Sequence, residues 1–186
     1  AAESLFIEKG FAATSLRAIA SSADVNLAAA NYHFGCKEGL FAAVLQRRIK
    51  PINQQRLAGL DQLEAADSSL STRQIVEAFL QPLVNPDLPA HLPAFISRIS
   101  SEPHAAMRDI LQNEFTEVVI RFQAALARAN PQVNSEDINW RFHFLVGAML
   151  QLVGLLNPLG VKEAELSRKA RFEKLVTFAV AGLEAT

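Results

Sequence analysis

Disulfides are the first thing this chain cannot make, because its 186 residues contain a single cysteine. With them goes any need for an oxidising compartment, and a reducing cytoplasm is the expected setting. Charge of one sign is missing too: 18 Lys and Arg face 19 Asp and Glu, for a formal net of -1. That balance excludes a protein coated in positive charge to hold nucleic acid, although a small basic patch fits inside a neutral total. The sequence has no Gly-rich phosphate loop, nucleophile elbow or paired-carboxylate motif. His33, His91, His104 and His143 lack metal-ligand spacing and have no second cysteine to join them, so neither metal nor cofactor is expected.

A membrane span is not expected either. The uncharged stretch 142–161 has the length of one, but His143, Gln151 and Asn157 interrupt it and Pro158 with Gly160 ends its helical pattern. No signal peptide is visible, and the chain opens without Met inside what reads as a helix, so the natural protein is expected to extend beyond Ala1.

What is present is apolar periodicity. Half the residues are hydrophobic and 20% are charged, the composition of an ordinary globular protein. Period-2 alternation is almost absent, while apolar residues recur three and four apart, which predicts an all-α chain. Helices are expected over 1–9, stopped by Gly10; 15–23, capped by Thr14 and Ser15; 26–33, capped by Asn26; and 37–48, with continuation through Pro51 to Leu63 left open. Further helices are expected over 73–84 after a Thr72 cap, 94–101, 103–129, 135–156 from Ser135, and 163–183. No repeat or low-complexity tract appears. Residues 1–50 hold six Lys and Arg against four Asp and Glu, a mildly basic start to an otherwise slightly acidic chain.

The two short helices 15–23 and 26–33, joined by a tight turn, have the dimensions of a helix-turn-helix. Val25, Ile19, Ala20, Ala30 and Phe34 are expected to form a miniature core against Leu5 and Phe6, leaving Asn26, Leu27, Ala28, Ala29 and Tyr32 outward. Small outward residues let a helix lie deep in a major groove, where Asn pairs with an adenine edge and Leu or Ala touches a thymine methyl. Lys37 and the free N–H groups opening the next helix are placed to meet a phosphate.

Residue identity carries the reading further. The stretch Phe11-Ala12-Ala13-Thr14-Ser15-Leu16-Arg17-Ala18-Ile19-Ala20, then Ala23-Asp24-Val25-Asn26, then Asn31-Tyr32-His33-Phe34-Gly35-Cys36-Lys37-Glu38-Gly39-Leu40-Phe41, closely resembles the N-terminal DNA-binding region of the tetracycline-repressor (TetR) family of bacterial transcription regulators. The resemblance covers about the first fifty residues. It implies that Asn26, Leu27, Ala28 and Ala29 face bases and that Thr14, Ser15, Tyr32, His33 and Lys37 contact phosphates. Asn31 stands where an aromatic is common, and Cys36 where Ser usually caps the next helix. The resemblance further implies a homodimer on a palindromic DNA operator, a small-molecule effector that releases it, and no enzymatic activity. The stretch from Val25 to Phe34 resembles family members that respond to fatty acids or acyl-CoA thioesters.

The expected architecture is thus a helix-turn-helix domain over 1–48 and a helical effector-binding and dimerisation domain over 49–186. Within the latter, Phe95, Arg98, Glu102, Met107 and Phe115, with Trp140, His143, Phe144 and Gln151, are the candidates to line an apolar effector cavity. The helix 135–156 is apolar nearly all round, so one of its faces needs a partner. The assigned dimer face is Phe142, Leu145, Met149, Leu152 and Leu156 with Phe172, Leu175, Val176, Ala179 and Leu183 of the last helix. The competing reading is a small helical enzyme acting on an apolar substrate, which needs a catalytic constellation.

Overall fold

The computed structural model describes residues 1–67, 69–85, 92, 94–96, 105–152 and 167–185, and most of these are helical with no strand among them. In chain order the helices are α1 (Ala2–Ala13), α2 (Leu16–Ser22), α3 (Leu27–Phe34), α4 (Lys37–Ala66), α5 (Thr72–Leu80) with a 3-10 turn (Gln81–Val84), α6 (Ala105–Ala129), α7 (Ser135–Leu152) and α8 (Arg168–Glu184). Contacts divide them into two compact units: Ala1–Pro51 with Pro89–Phe115, and Ile52–Leu88 with Thr116–Thr186. The divisions fall inside α4, which runs through Pro51, and inside α6.

Local chemistry explains the boundaries. Gly10 takes φ 82°, a left-handed conformation that interrupts α1, yet Phe11–Ala13 add a further turn before the chain leaves the helix. Ser15 caps α2 by accepting from the Ala18 N–H, and Asn26 caps α3 by accepting from the Ala28 N–H at 2.7 Å. Gly35 at φ 70° turns α3 into α4.

Two expected caps shift by one residue. Ser71 rather than Thr72 caps α5, because Gln74 completes a capping box with it; Thr72 is buried and exchanges hydrogen bonds with Asn130. Asn134 rather than Ser135 accepts from the Asp137 N–H. The last described helix starts at Arg168 after a Ser167 cap, and residues 163–166 of the expected helix lie outside the described residues.

In the first unit, Phe6, Phe11 and Phe41 meet edge to face or stacked at 5.1–5.8 Å, and Phe41 also meets Phe95 at 6.1 Å. Ile19, Ala20 and Ala30 from the two short helices are buried with Leu40, Leu45 and Ile49. Two members expected in this core are not there: Val25 is 50% exposed and Phe34 39%. Val25 lies in the short link between α2 and α3, where its N–H bonds to the Ala20 carbonyl, and Phe34 ends α3, so neither has a neighbouring helix to cover it fully.

The second unit has its own core. Leu60, Ile75, Val76, Phe79, Leu80, Val118, Phe122, Leu126, Ile138, Phe142, Leu145, Val176 and Leu183 pack as one cluster. Phe79 lies at its centre, edge-on to Phe122 at 5.2 Å and to Phe142 at 5.1 Å. Among the described residues no helix is long and apolar enough to cross a membrane, and no group of three metal-ligating side chains assembles. The uncharged stretch 142–161 lies beyond the described residues from 153 onward.

Candidate functional site

The helix pair α2–α3 places most of the candidate DNA-contacting residues on open surface. Asn26, Ala28, Ala29, Asn31, Tyr32 and His33 are exposed, Leu27 is half-buried, and only Ala30 turns into the core. Tyr32 is the most open large side chain among them, 87% exposed, with its ring edge-on to His33 at 5.4 Å. Since the Asn26 carbonyl oxygen is held by the cap, its amide N–H2 is the part turned to whatever α3 meets. Ser15, exposed at the start of α2, likewise combines a cap with an outward hydroxyl.

The position of α3 is set by its C-terminal junction. Gly39, in the first turn of α4, comes so close to the Phe34 carbonyl oxygen that a Cβ built there would lie 2.1 Å from it. Any other residue forces the end of α3 and the start of α4 apart.

Thr14 and Lys37 both bond into the scaffold, Thr14 buried and Lys37 half-buried. Thr14 is 2% exposed, and its hydroxyl donates to the Gly10 carbonyl at 2.6 Å and to the Leu5 carbonyl at 3.2 Å. The Gly10 kink leaves carbonyls that need a donor, and Thr14 supplies it; burial therefore removes Thr14 from the candidate phosphate contacts. The Lys37 ammonium donates to Phe11 O at 2.8 Å and Ala12 O at 3.4 Å, and sits 4.3 Å from the centroid of the Phe11 ring. Its charge caps the C-terminal end of α1, where a cation is favoured. Arg48, also basic, is tied to Glu3 in a two-pronged pair at 2.7–2.9 Å. Cys36 is exposed and unbridged.

Residues assigned to effector and dimer contacts distribute differently from expectation. Phe95 is fully buried against Phe41 in the first unit, to which Phe115 also belongs. Trp140 and Phe144 lie in the second unit on the outside of α7, 59% and 66% exposed, and not in its described core. His143 is exposed beside them, its Nδ1 2.8 Å from the Asn139 carbonyl. Arg98 and Glu102 fall outside the described residues, and the side chains of Met107 and Gln151 are also outside them.

The assigned dimer face is corrected more sharply. Phe142, Leu145, Phe172, Val176, Ala179 and Leu183 are buried in the second unit's own core, with Met149 and Leu175 packed on its margin; Leu156 and the Leu152 side chain lie outside the described residues. Those positions are thus already covered within a single chain. The outward aromatic residues are Trp140 and Phe144 of α7 and Phe178 of α8, the last 70% exposed.

Sequence reading misses one interior residue. Arg56 of α4 is 2% exposed in the second unit. It lies at helical spacing between Ile52 and Leu60, both buried, and a charged residue in an apolar stripe is the signal that could have found it. Its Nε donates to the Phe79 carbonyl at 2.9 Å, Nη1 to Asn53 Oδ1 at 3.1 Å, and Nη2 to the Met149 sulfur at 3.2 Å. Burial pulls its pKa down to about 10. A shallow cleft of about 350 Å³ lies in the same unit, lined by Gln55, Gly59, Ala78, Gln81, Pro82, Val84 and Asn85.

Comparison with known proteins agrees with this arrangement from both ends of the chain. Residues 1–44 match the family model described as bacterial regulatory proteins, tetR family, and residues 77–182 match that of the tetracyclin repressor-like C-terminal domain. A curated relative, the probable HTH-type transcriptional regulator YttP of Bacillus subtilis, is 39% identical over 77 residues, a match spanning 41% of this chain and about a third, 34%, of the relative. Among solved structures, the SmeT–triclosan complex has a TM-score of 0.69 at 18% identity, covering 97% of this chain and 86% of that one. GusR of Salmonella enterica has 0.67 at 19%, covering 100% and 92%, and a TetR-like regulator from Rhodococcus sp. RHA1 has 0.63 at 24%, also covering 100% and 92%. These likenesses show a shared fold. The two family models, together with a helix-turn-helix whose outer face is open, make this chain a member of the TetR family of DNA-binding transcriptional regulators and not an enzyme.

Proposed function

We propose that the protein is a homodimeric repressor that grips a palindromic operator through two copies of α3 and lets go when a small apolar effector binds. The observation that carries this reading is the exposed row Asn26, Ala28, Ala29, Tyr32 and His33 beside half-buried Leu27. Small side chains on the first turn allow close approach to base edges, while Ser15, Tyr32 and His33 supply hydroxyl and imidazole groups for phosphates. Lys37 and Thr14 hold that surface in place. In chain terms we assign the DNA-binding part to 1–48 and the effector-binding and dimerising part to 49–186, and a regulator of bacterial genes with one exposed cysteine belongs in a reducing cytoplasm.

Dimerisation supports the same reading by a route different from the one the sequence points to. Trp140, Phe144 and Phe178 leave aromatic surface open on neighbouring helices, and a second copy of the same face covers it isologously. Two α3 helices in such a dimer would meet half-sites about 34–36 Å apart, one turn of DNA. An effector then acts by its different affinity for the two arrangements of the dimer. The related SmeT structure contains triclosan, and another of the same fold, from Saccharomonospora viridis, contains choline, so this fold houses small ligands of unlike chemistry. For this chain the candidates are a fatty acid or an acyl-CoA.

Selection of bound sequences from random duplex DNA tests the reading. An enriched inverted repeat that is lost on adding a fatty acid or acyl-CoA is the expected result; no enrichment over input would sink it.

A further inference from the structure

Of the eight other arginines whose side chains are described, five, Arg48, Arg73, Arg121, Arg128 and Arg141, lie within ion-pair distance of a carboxylate. Arg56 differs. Its described partners are a backbone carbonyl, an amide oxygen and a thioether, all uncharged, and its guanidinium lies 4.2 Å from the centroid of the Phe79 ring. A thioether is a weak acceptor, and a guanidinium has five N–H donors, of which these contacts use one on each nitrogen. A buried cation whose described partners are all uncharged is costly to keep, and an arriving anion would recover that cost.

We propose that Arg56 is the recognition point for the effector's negatively charged head group, which makes the effector an amphiphilic monocarboxylate. The proposal rests on the reading above, that a small molecule releases this regulator from DNA. A planar carboxylate matches the two terminal nitrogens of a guanidinium and cancels its single charge. A phosphate dianion or the several charges of a CoA thioester exceed the single charge that Arg56 offers beside Phe79 and Met149. The same aromatic and thioether surroundings suit an apolar body behind the head group. Between the two effector classes, Arg56 therefore selects the free acid over its thioester.

The test compares decanoate, decanamide and decanoyl-CoA, with naphthoate and naphthamide as an aromatic pair, on the full chain. Thermal melting reports binding, and fluorescence anisotropy of a selected operator reports release. Wild type should prefer each acid over its amide by roughly tenfold to a hundredfold, the worth of a hydrogen bond to a charged group. Arg56→Met should fold, bind operator, and treat acid and amide alike; Arg56→Gln, also uncharged, serves if the methionine variant does not fold. The proposal is overturned if wild type binds none of the acids, if amide or thioester matches the acid, or if the uncharged variant keeps the acid's advantage. Acids that raise the melting temperature with the full preference yet leave operator binding untouched would refute the effector reading while sustaining the Arg56 anion site.

Discussion

Helices α3 and α7 both turn aromatic side chains outward, and for different physical reasons. On α3 the outward set is small or polar apart from Tyr32 and the terminal Phe34, and a single residue, Ala30, is buried within the helix. On α7 the outward set includes Trp140 and Phe144 while Ile138, Phe142 and Leu145 of the same helix fill a core. The first helix is held by its ends, through the Asn26 cap, the Gly35 turn and the Gly39 approach, and so its outer surface is free to serve recognition. The second is held by its inner face, and its outer face is apolar surface in want of cover. Substitutions should accordingly cost α3 little outside its junctions and cost α7 heavily on one side only.

The largest expected effect separates the faces of α7. Phe142→Ala should lower stability by about 3–5 kcal/mol, the usual cost of emptying a buried phenylalanine site. Phe144→Ala should change it by less than about 0.5 kcal/mol. In sedimentation, however, Phe144→Glu and Trp140→Glu should shift the species toward monomer while urea unfolding of that monomer stays close to wild type. Equal costs for Phe142→Ala and Phe144→Ala in denaturant titrations would erase the distinction.

Gly39→Ala comes next. A Cβ 2.1 Å from the Phe34 carbonyl oxygen cannot be relieved by rotating a side chain, so the junction of α3 and α4 must open. A loss of about 2–4 kcal/mol is expected, with operator affinity falling further than the unfolded fraction accounts for. Anisotropy on the folded fraction checks the second part, and unchanged affinity there would mean that α3 holds its place without this contact.

Smaller effects fall on the scaffold residues beside α3. Thr14→Val removes a buried hydroxyl from the Gly10 and Leu5 carbonyls and should cost about 1–2 kcal/mol with intrinsic operator affinity kept. Lys37→Met removes the cation at the end of α1 and should cost about 1 kcal/mol. Because the ammonium is committed to Phe11 and Ala12, the slope of log affinity against log salt should stay at its wild-type value. A slope reduced by about one would restore Lys37 as a phosphate contact.

Signals that act within a few residues are legible in the sequence itself. Asn26 and Ser15 as caps, Gly35 as a turn and the run of helices follow from local hydrogen bonding and apolar spacing, and the motif from Tyr32 to Leu40 carries the family. Where two neighbouring residues can do the same job, the sequence reading errs by one: Ser71 and Thr72 both bear a hydroxyl, and Gln74 decides between them. Non-local facts are harder to read. Thr14 reads as a surface hydroxyl, whereas the Gly10 kink places carbonyls above it and draws it inside. The two faces of α7 are nearly equal in hydrophobicity, so only packing against α5, α6 and α8 tells which is core, and periodicity by itself assigns the wrong one to a partner. Arg56 escapes notice because a lone arginine in an amphipathic helix normally reaches solvent.

The central claim is that the outer face of α3 reads base sequence. Asn26→Ser tests it most directly, because serine also caps a helix and leaves α3 intact while replacing the outward amide by a hydroxyl. Bound sequences should be selected from random duplexes with wild type and variant at one salt concentration. The account predicts an inverted repeat for both, with the preferred base changed at the matching position of each half-site and elsewhere the same. Identical motifs from the two proteins, or enrichment with no repeat, would contradict it.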